Sequence, residues 1–161
     1  MDYQAYYRKV EDGNYQAYYD AIAAAEPRDP QATARTRDAD GTIPGQARER
    51  MFNIAGEIQN TSREFGVPLP PFLEGCTVVD LCCGSGRDTY LAAQLVGPSG
   101  KVIGVEPNAV RMRIGEKYLE KEMKQFGYDA PNVEFHAGCP EDLSFIPDGS
   151  VDVVISNCTF N

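Results

Sequence analysis

A run of apolar, β-branched residues, Thr77-Val78-Val79-Asp80-Leu81, leads directly into Cys82-Cys83-Gly84-Ser85-Gly86-Arg87-Asp88 and then into a helical pattern. A strand that empties through a glycine-rich turn into a helix constrains the fold more than any other feature here. It belongs to a parallel sheet, and the turn lies at the strand's carboxyl edge, where ligands of open α/β sheets settle. Gly84 and Gly86 let backbone approach a ligand without a Cβ between them.

The rest of the second half continues that grammar. A helix is expected from about Arg87 to Val96, with Leu91, Ala92 and Leu95 at core spacing and Gly97-Pro98 closing it. Lys101–Val105 is the next strand. Asn108 is placed to cap a helix that carries Val110, Ile114, Tyr118 and Phe126 inward and ends at Gly127. Val133–Phe135 and Val151–Ser156 are further strands. Strands alternating with helices at these lengths make a doubly wound α/β sheet with right-handed crossovers.

The first part reads differently. YQAYY occurs at Tyr3–Tyr7 and again at Tyr15–Tyr19, a local duplication of helical character that is too short to be a repeat architecture. Glu26–Gly45, with three prolines and two glycines, reads as a linker. Gln46–Glu64 regains helical spacing, with Phe52, Ile54, Ala55 and Ile58 on one side, until Pro68, Pro70 and Pro71. The division expected is a helical and linker segment over 1–75 and a ligand-binding core over 76–161.

Charge excludes some partners. With 15 basic and 24 acidic residues the net charge is −9, and no basic block occurs, which argues against a nucleic-acid backbone or an anionic membrane as partner. No apolar run approaches the roughly 18 residues of a membrane span, and no signal segment opens the chain, so a cytoplasmic protein is expected. Five cysteines, two of them adjacent, fit free thiols in a reducing compartment.

The identity of the ligand turns on three acidic sites. A dinucleotide fingerprint wants a small residue three places after the second glycine, and Thr89 stands there. The lysine of a phosphate-cradling loop is absent. Asp80 precedes the turn instead, unfavourable beside a pyrophosphate and favourable beside an amine or sulfonium. Glu106, twenty residues after Gly86, suits the vicinal diol of a ribose. Glu141 and Asp142, after the third strand, are placed to accept from an adenine amino group. A cationic nucleoside carrying an amino acid fits the set better than a nicotinamide dinucleotide.

In these residues the chain resembles the class I S-adenosylmethionine-dependent methyltransferases, and among them the arsenite methyltransferases. The likeness runs from about Phe65 to Asn161 through Val78–Leu81, Gly84–Asp88, Tyr90-Leu91, Leu95–Gly97, Phe126–Val133 and Ile155-Ser156-Asn157-Cys158. Tyr6-Tyr7-Arg8-Lys9-Val10 resembles that family's opening helix, which lies over the cofactor pocket.

The resemblance implies a Rossmann-like sheet, here incomplete at about four parallel strands with an N-terminal helical extension. It also implies methyl transfer from S-adenosylmethionine to trivalent arsenic, supplied as arsenite or its thiol conjugates. Asp80, Cys82, Gly84, Gly86, Glu106, Pro107, Glu141, Asp142, Asn157, Tyr6 and Tyr7 are then expected around the cofactor. Asn157 and Cys158 are expected on the acceptor side, Cys158 as a ligand to arsenic. The family carries glycine where Cys82 stands, and other thiols of its set are missing from Glu26–Gly45 and Arg63–Gly66. A methyltransferase for another small molecule, or a truncated non-catalytic cofactor-binding domain, are the alternatives. With the fourth strand left at an edge, a partner chain completing the sheet is a further expectation.

Overall fold

The computed structural model describes residues 45–62, 66–70 and 72–157. Two short helices come first, α1 (Gly45–Met51) and α2 (Gly56–Thr61). The alternating unit follows: β1 (Thr77–Leu81), α3 (Arg87–Val96), β2 (Lys101–Glu106), α4 (Ala109–Phe126), β3 (Val133–Ala137) and β4 (Val153–Ser156). The strands form one parallel sheet in the order β3-β2-β1-β4. The chain thus steps outward from β1 to β3 and returns to β1's other side, which puts the switch point between β1 and β4, as the doubly wound reading requires.

Alternation along the strands divides the core in two. Val78, Val102, Val133 and Ile155 face α3 and α4 and join Tyr90, Leu91, Ala93, Val96 and Met123. Ala47, Ile54, Ala55 and Ile58 belong to this same cluster, so α1 and α2 are built onto the sheet. Val79, Leu81, Ile103 and Val105 face the other way, under Leu143, Ile146 and Val151. The return from β3 to β4 crosses that second face without a helix. Pro140 and Pro147 interrupt it, and tight turns replace helical bonding, with Asp142 N–H on the Cys139 carbonyl, Ile146 on Leu143 and Ser150 on Pro147.

Element ends follow local chemistry. Asn108 Oδ1 accepts from the amides of Val110 and Arg111 and starts α4. Gly127, at φ 77°, ends it, with its own amide on Lys124 and that of Tyr128 on Met123. Phe135 explains three glycines at once. It pairs with Gly104 across the sheet, and a Cβ at Gly86, Gly104 or Gly115 would lie 2.8–3.0 Å from its ring. Tyr90 meets the same ring edge-on at 5.7 Å.

Two packing expectations are corrected. The single helical face over Gln46–Glu64 is broken at 52–55, and Phe52 is 81% exposed rather than inward. A continuous helix would have sent the Ala55 amide to the Met51 carbonyl. Here Ala55 is extended (φ −53°, ψ 137°) and its amide goes to Glu122 Oε1 at 2.9 Å, while the Met51 carbonyl takes Ile54 N–H and Gln59 Nε2. In α4, Val110 is 46% exposed, because the inward stripe is Met112, Gly115, Glu122 and Met123. A glutamate in that stripe is what hid its frame.

Glu122 is fully buried, and its Oε2 has no partner among the described residues. Burial pushes its carboxyl up, opposed by the Ala55 amide and by Lys121. With the folded pKa above the unfolded one, the fold binds the extra proton. The contribution of Glu122 to stability is then fullest at acid pH and falls as pH rises from the ordinary glutamate range through the raised value. Glu122→Gln should remove that slope, equalling wild type at acid pH and exceeding it at neutral pH, as read by urea unfolding across pH.

Candidate functional site

The turn from β1 to α3 is left-handed at three positions: Cys82 (φ 57°), Gly84 (φ 61°) and Gly86 (φ 87°). Gly84 and Gly86 adopt this conformation at little steric cost. Cys82 is the one non-glycine residue at positive φ among those described. Cys82→Gly is therefore expected to stabilise the fold by about 1 kcal/mol through relief of that strain, seen as a rise of a few degrees in Tm.

The turn is gripped from beneath. Cys83 N–H donates to the Val105 carbonyl and Gly86 N–H to that of Cys83. Gly84 N–H donates to Glu106 Oε2 at 2.7 Å, and Asn108 N–H to Glu106 Oε1 at 3.0 Å. One buried carboxylate at the end of β2 thus holds both the glycine turn and the cap of α4. Each of its oxygens has capacity for one more donor, the pattern a vicinal diol satisfies. Beside it, Asn108 Nδ2 is a buried donor with no partner among the described residues. Gly138 N–H reaches the Glu106 carbonyl, bringing the start of the β3–β4 connection to the same edge.

Asp80 is also buried, and its Oδ2 accepts from Thr89 Oγ1 at 2.7 Å. Thr89, read in the sequence only as a departure from a dinucleotide fingerprint, is a hydrogen-bond donor to Asp80. Sequence reasoning missed a second cluster. Arg87 donates through Nε to Asp88 Oδ1 at 2.8 Å, forms an ion pair with the same oxygen through Nη2 at 2.7 Å, and donates through Nη2 to the Gly66 carbonyl. Asp88 Oδ2 accepts from Asn157 Nδ2 at 2.8 Å, which ties the end of β4 to the first turn of α3. An adjacent Arg-Asp pair opening a helix was the available signal.

The remaining expected residues are more dispersed. Pro107 and Cys82 are half-buried at the edge, whereas Glu141 and Asp142 are exposed. The Asp142 carboxylate accepts from Ser144 N–H at 3.1 Å, and hydrogen bonds from Ser144 hold it below the usual aspartate range. Cys76, Cys82, Cys83 and Cys139 are free thiols, and the described residues contain no cluster of metal-ligating groups. No described helix is long and apolar enough to cross a membrane. Tyr6, Tyr7, the YQAYY segments and Cys158 lie outside the described residues.

The fold is a doubly wound α/β sheet with a glycine turn at its switch point and a buried carboxylate at the end of the neighbouring strand, the edge where ligands of such sheets bind. The methyltransferase domain family matches residues 73–161, and the chain belongs to that family. It is 40% identical over 121 residues to the arsenite methyltransferase of Mus musculus, covering 74% of this chain and 32% of that protein. The arsenite methyltransferase of Rattus norvegicus is 36% identical over 148 residues, 91% of this chain and 40% of its own length. Among solved structures, an arsenic(III) S-adenosylmethionine methyltransferase from Chlamydomonas reinhardtii superposes with a TM-score of 0.70 at 34% identity, over 72% of this chain and 40% of that one. The likeness to arsenite methyltransferases read from the motifs is borne out. The chain spans between 32% and 40% of the length of these relatives.

Proposed function

We propose that this chain is the cofactor-binding part of an S-adenosylmethionine-dependent methyltransferase that methylates thiol-bound trivalent arsenic. The observation that carries the cofactor is the buried Glu106 carboxylate. It is fixed by Gly84 and Asn108 with acceptor capacity left on both oxygens, beside Asn108 Nδ2, which has no partner among the described residues. That donor and acceptor set fits a ribose and its base. Bound S-adenosylmethionine supplies a methyl group on a positively charged sulfur.

The chain's own residues bind and orient. Gly84 and Gly86 give the methionine portion access to backbone, with the buried Asp80 as the negative charge on the strand that leads into that turn. Glu106 and Pro107 take the ribose side, and Glu141 and Asp142 the adenine side. Tyr6 and Tyr7 are assigned to the cofactor on the resemblance of their segment to the family's opening helix. Asn157, held by Asp88, and Cys158 stand on the acceptor side, Cys158 as a soft ligand for arsenic. A three-coordinate arsenic keeps a lone pair, so the protein's task is to align it with the methyl carbon. Free thiols suit a reducing cytoplasm, and the net charge of −9 disfavours nucleic acid as substrate. Val154 on β4 is 59% exposed, a surface that further strands of the protein or of a partner chain would adjoin.

The acceptor is tested by incubating the protein with S-adenosylmethionine, arsenite and a thiol. Methylated arsenic from wild type, lost in Cys158→Ser, is the expected result. Cofactor binding without methylated arsenic would transfer the assignment to another small-molecule acceptor, a reading favoured by the absence of a thiol cluster among the described residues.

A further inference from the structure

The family match begins at residue 73, yet α2 lies against the glycine turn. Ser85, fully buried in that turn, donates its hydroxyl to the Ile58 carbonyl of α2 at 3.0 Å. The carbonyl of the same serine faces Gly115 of α4, where a Cβ would come within 3.1 Å of it. The other side of the α1–α2 joint is anchored to α4 through Ala55 N–H and Glu122 Oε1. Glu57 of α2 adds an exposed contact with Lys117 at 2.7 Å and a bond from the Tyr118 hydroxyl.

We propose that α1–α2 is a brace for the glycine turn, with Ser85 and Glu122 as positioning residues that act through its two ends. The inference rests on the reading of that turn as the nucleoside site and adds the segment before the family match to it. Ile58 and Ala55 have no sequence feature of binding residues. Their backbone groups make the connection, so docking of α2 sets how well the turn is formed before a ligand arrives. A preorganised turn binds more tightly than one that must be ordered on binding. Ser85 and Glu122 do not share a hydrogen bond. If both act through the brace, their effects on ligand affinity are coupled, whereas independent sites would add.

The test has two readouts on the full chain. The first is amide hydrogen exchange of the unliganded protein, which reports local opening at Gly84 and Gly86, whose N–H groups are bonded within the site. Ser85→Ala should raise exchange at these amides about tenfold, and Glu122→Leu should raise it there and at Ala55. Glu122→Gln, which keeps the acceptor, should stay within about twofold of wild type. The second is titration with S-adenosylhomocysteine. Ser85→Ala and Glu122→Leu should each weaken binding about tenfold, and the double variant should be within about twofold of the weaker single. Unchanged exchange at Gly84 and Gly86 in Ser85→Ala, or effects on affinity that multiply, would overturn the brace. Should Glu122→Leu fail to fold, Ser85→Ala decides alone. If wild type takes up no S-adenosylhomocysteine, the functional reading fails while exchange still judges the brace.

Discussion

Asp88→Ala is expected to destabilise the protein by about 3–5 kcal/mol, a drop of roughly 10–15 °C in Tm. The reason is the position of its partner. Arg87 is fully buried, and Asp88 Oδ1 takes both its Nε and its Nη2. Removing the carboxylate takes this charge partner away from a guanidinium inside the fold, which costs far more than the pair contributes when intact. The same substitution releases Asn157 Nδ2 and so frees the end of β4 from α3. Asp88→Asn keeps one acceptor, its carbonyl oxygen, for Arg87 but removes the charge and turns an NH2 toward Asn157 Nδ2, so it should lose only somewhat less. Thermal unfolding of the two variants beside wild type measures the difference. Equal and small losses would show that the charge of Asp88 is not what holds Arg87.

Glu106→Ala is expected to weaken binding of S-adenosylhomocysteine about 100-fold or more. Two hydroxyl bonds to a carboxylate are worth about 1.5–3 kcal/mol each, and each 1.4 kcal/mol is tenfold in affinity. The loss has a second source, since Gly84 N–H and Asn108 N–H lose their acceptor and the turn loses its fixed shape. Glu106→Gln separates the two. Its carbonyl oxygen can hold one of those amides, but its NH2 cannot accept a hydroxyl, so fold stability should recover more than affinity does. Calorimetry paired with thermal melts reads both quantities. Affinity within a few-fold of wild type in Glu106→Ala would remove Glu106 from the site.

Much of the architecture was legible because it follows from periodicity and punctuation. The β-branched run Thr77–Leu81 is a strand buried on both faces, and Asn108 and Gly127 bound α4 through the cap and left-handed turn their chemistry favours. Failures arose where a polar residue took an inward place. Glu122 in the α4 stripe displaced the apparent frame toward Val110, and the Ala55 amide that Glu122 captures breaks the helix expected through Phe52. At the site, Asp80, Glu106 and the glycines were visible as types at a known spacing. What they touch was not visible, because those partners are remote in sequence or are backbone groups. Thr89 on Asp80, Gly84 N–H on Glu106 and the Ile58 carbonyl under Ser85 carry no compositional mark. Gly86 has two roles that one letter cannot separate: a left-handed turn and clearance for the Phe135 ring.

In the proposed function the glycine turn and the Glu106 carboxylate together hold the nucleoside of S-adenosylmethionine. Isothermal titration of the chain with S-adenosylhomocysteine, and in parallel with NAD, examines that most directly. One-site uptake of S-adenosylhomocysteine with no heat from NAD is the predicted result. Binding of NAD in its place, or no binding of either nucleotide by the folded protein, would contradict it.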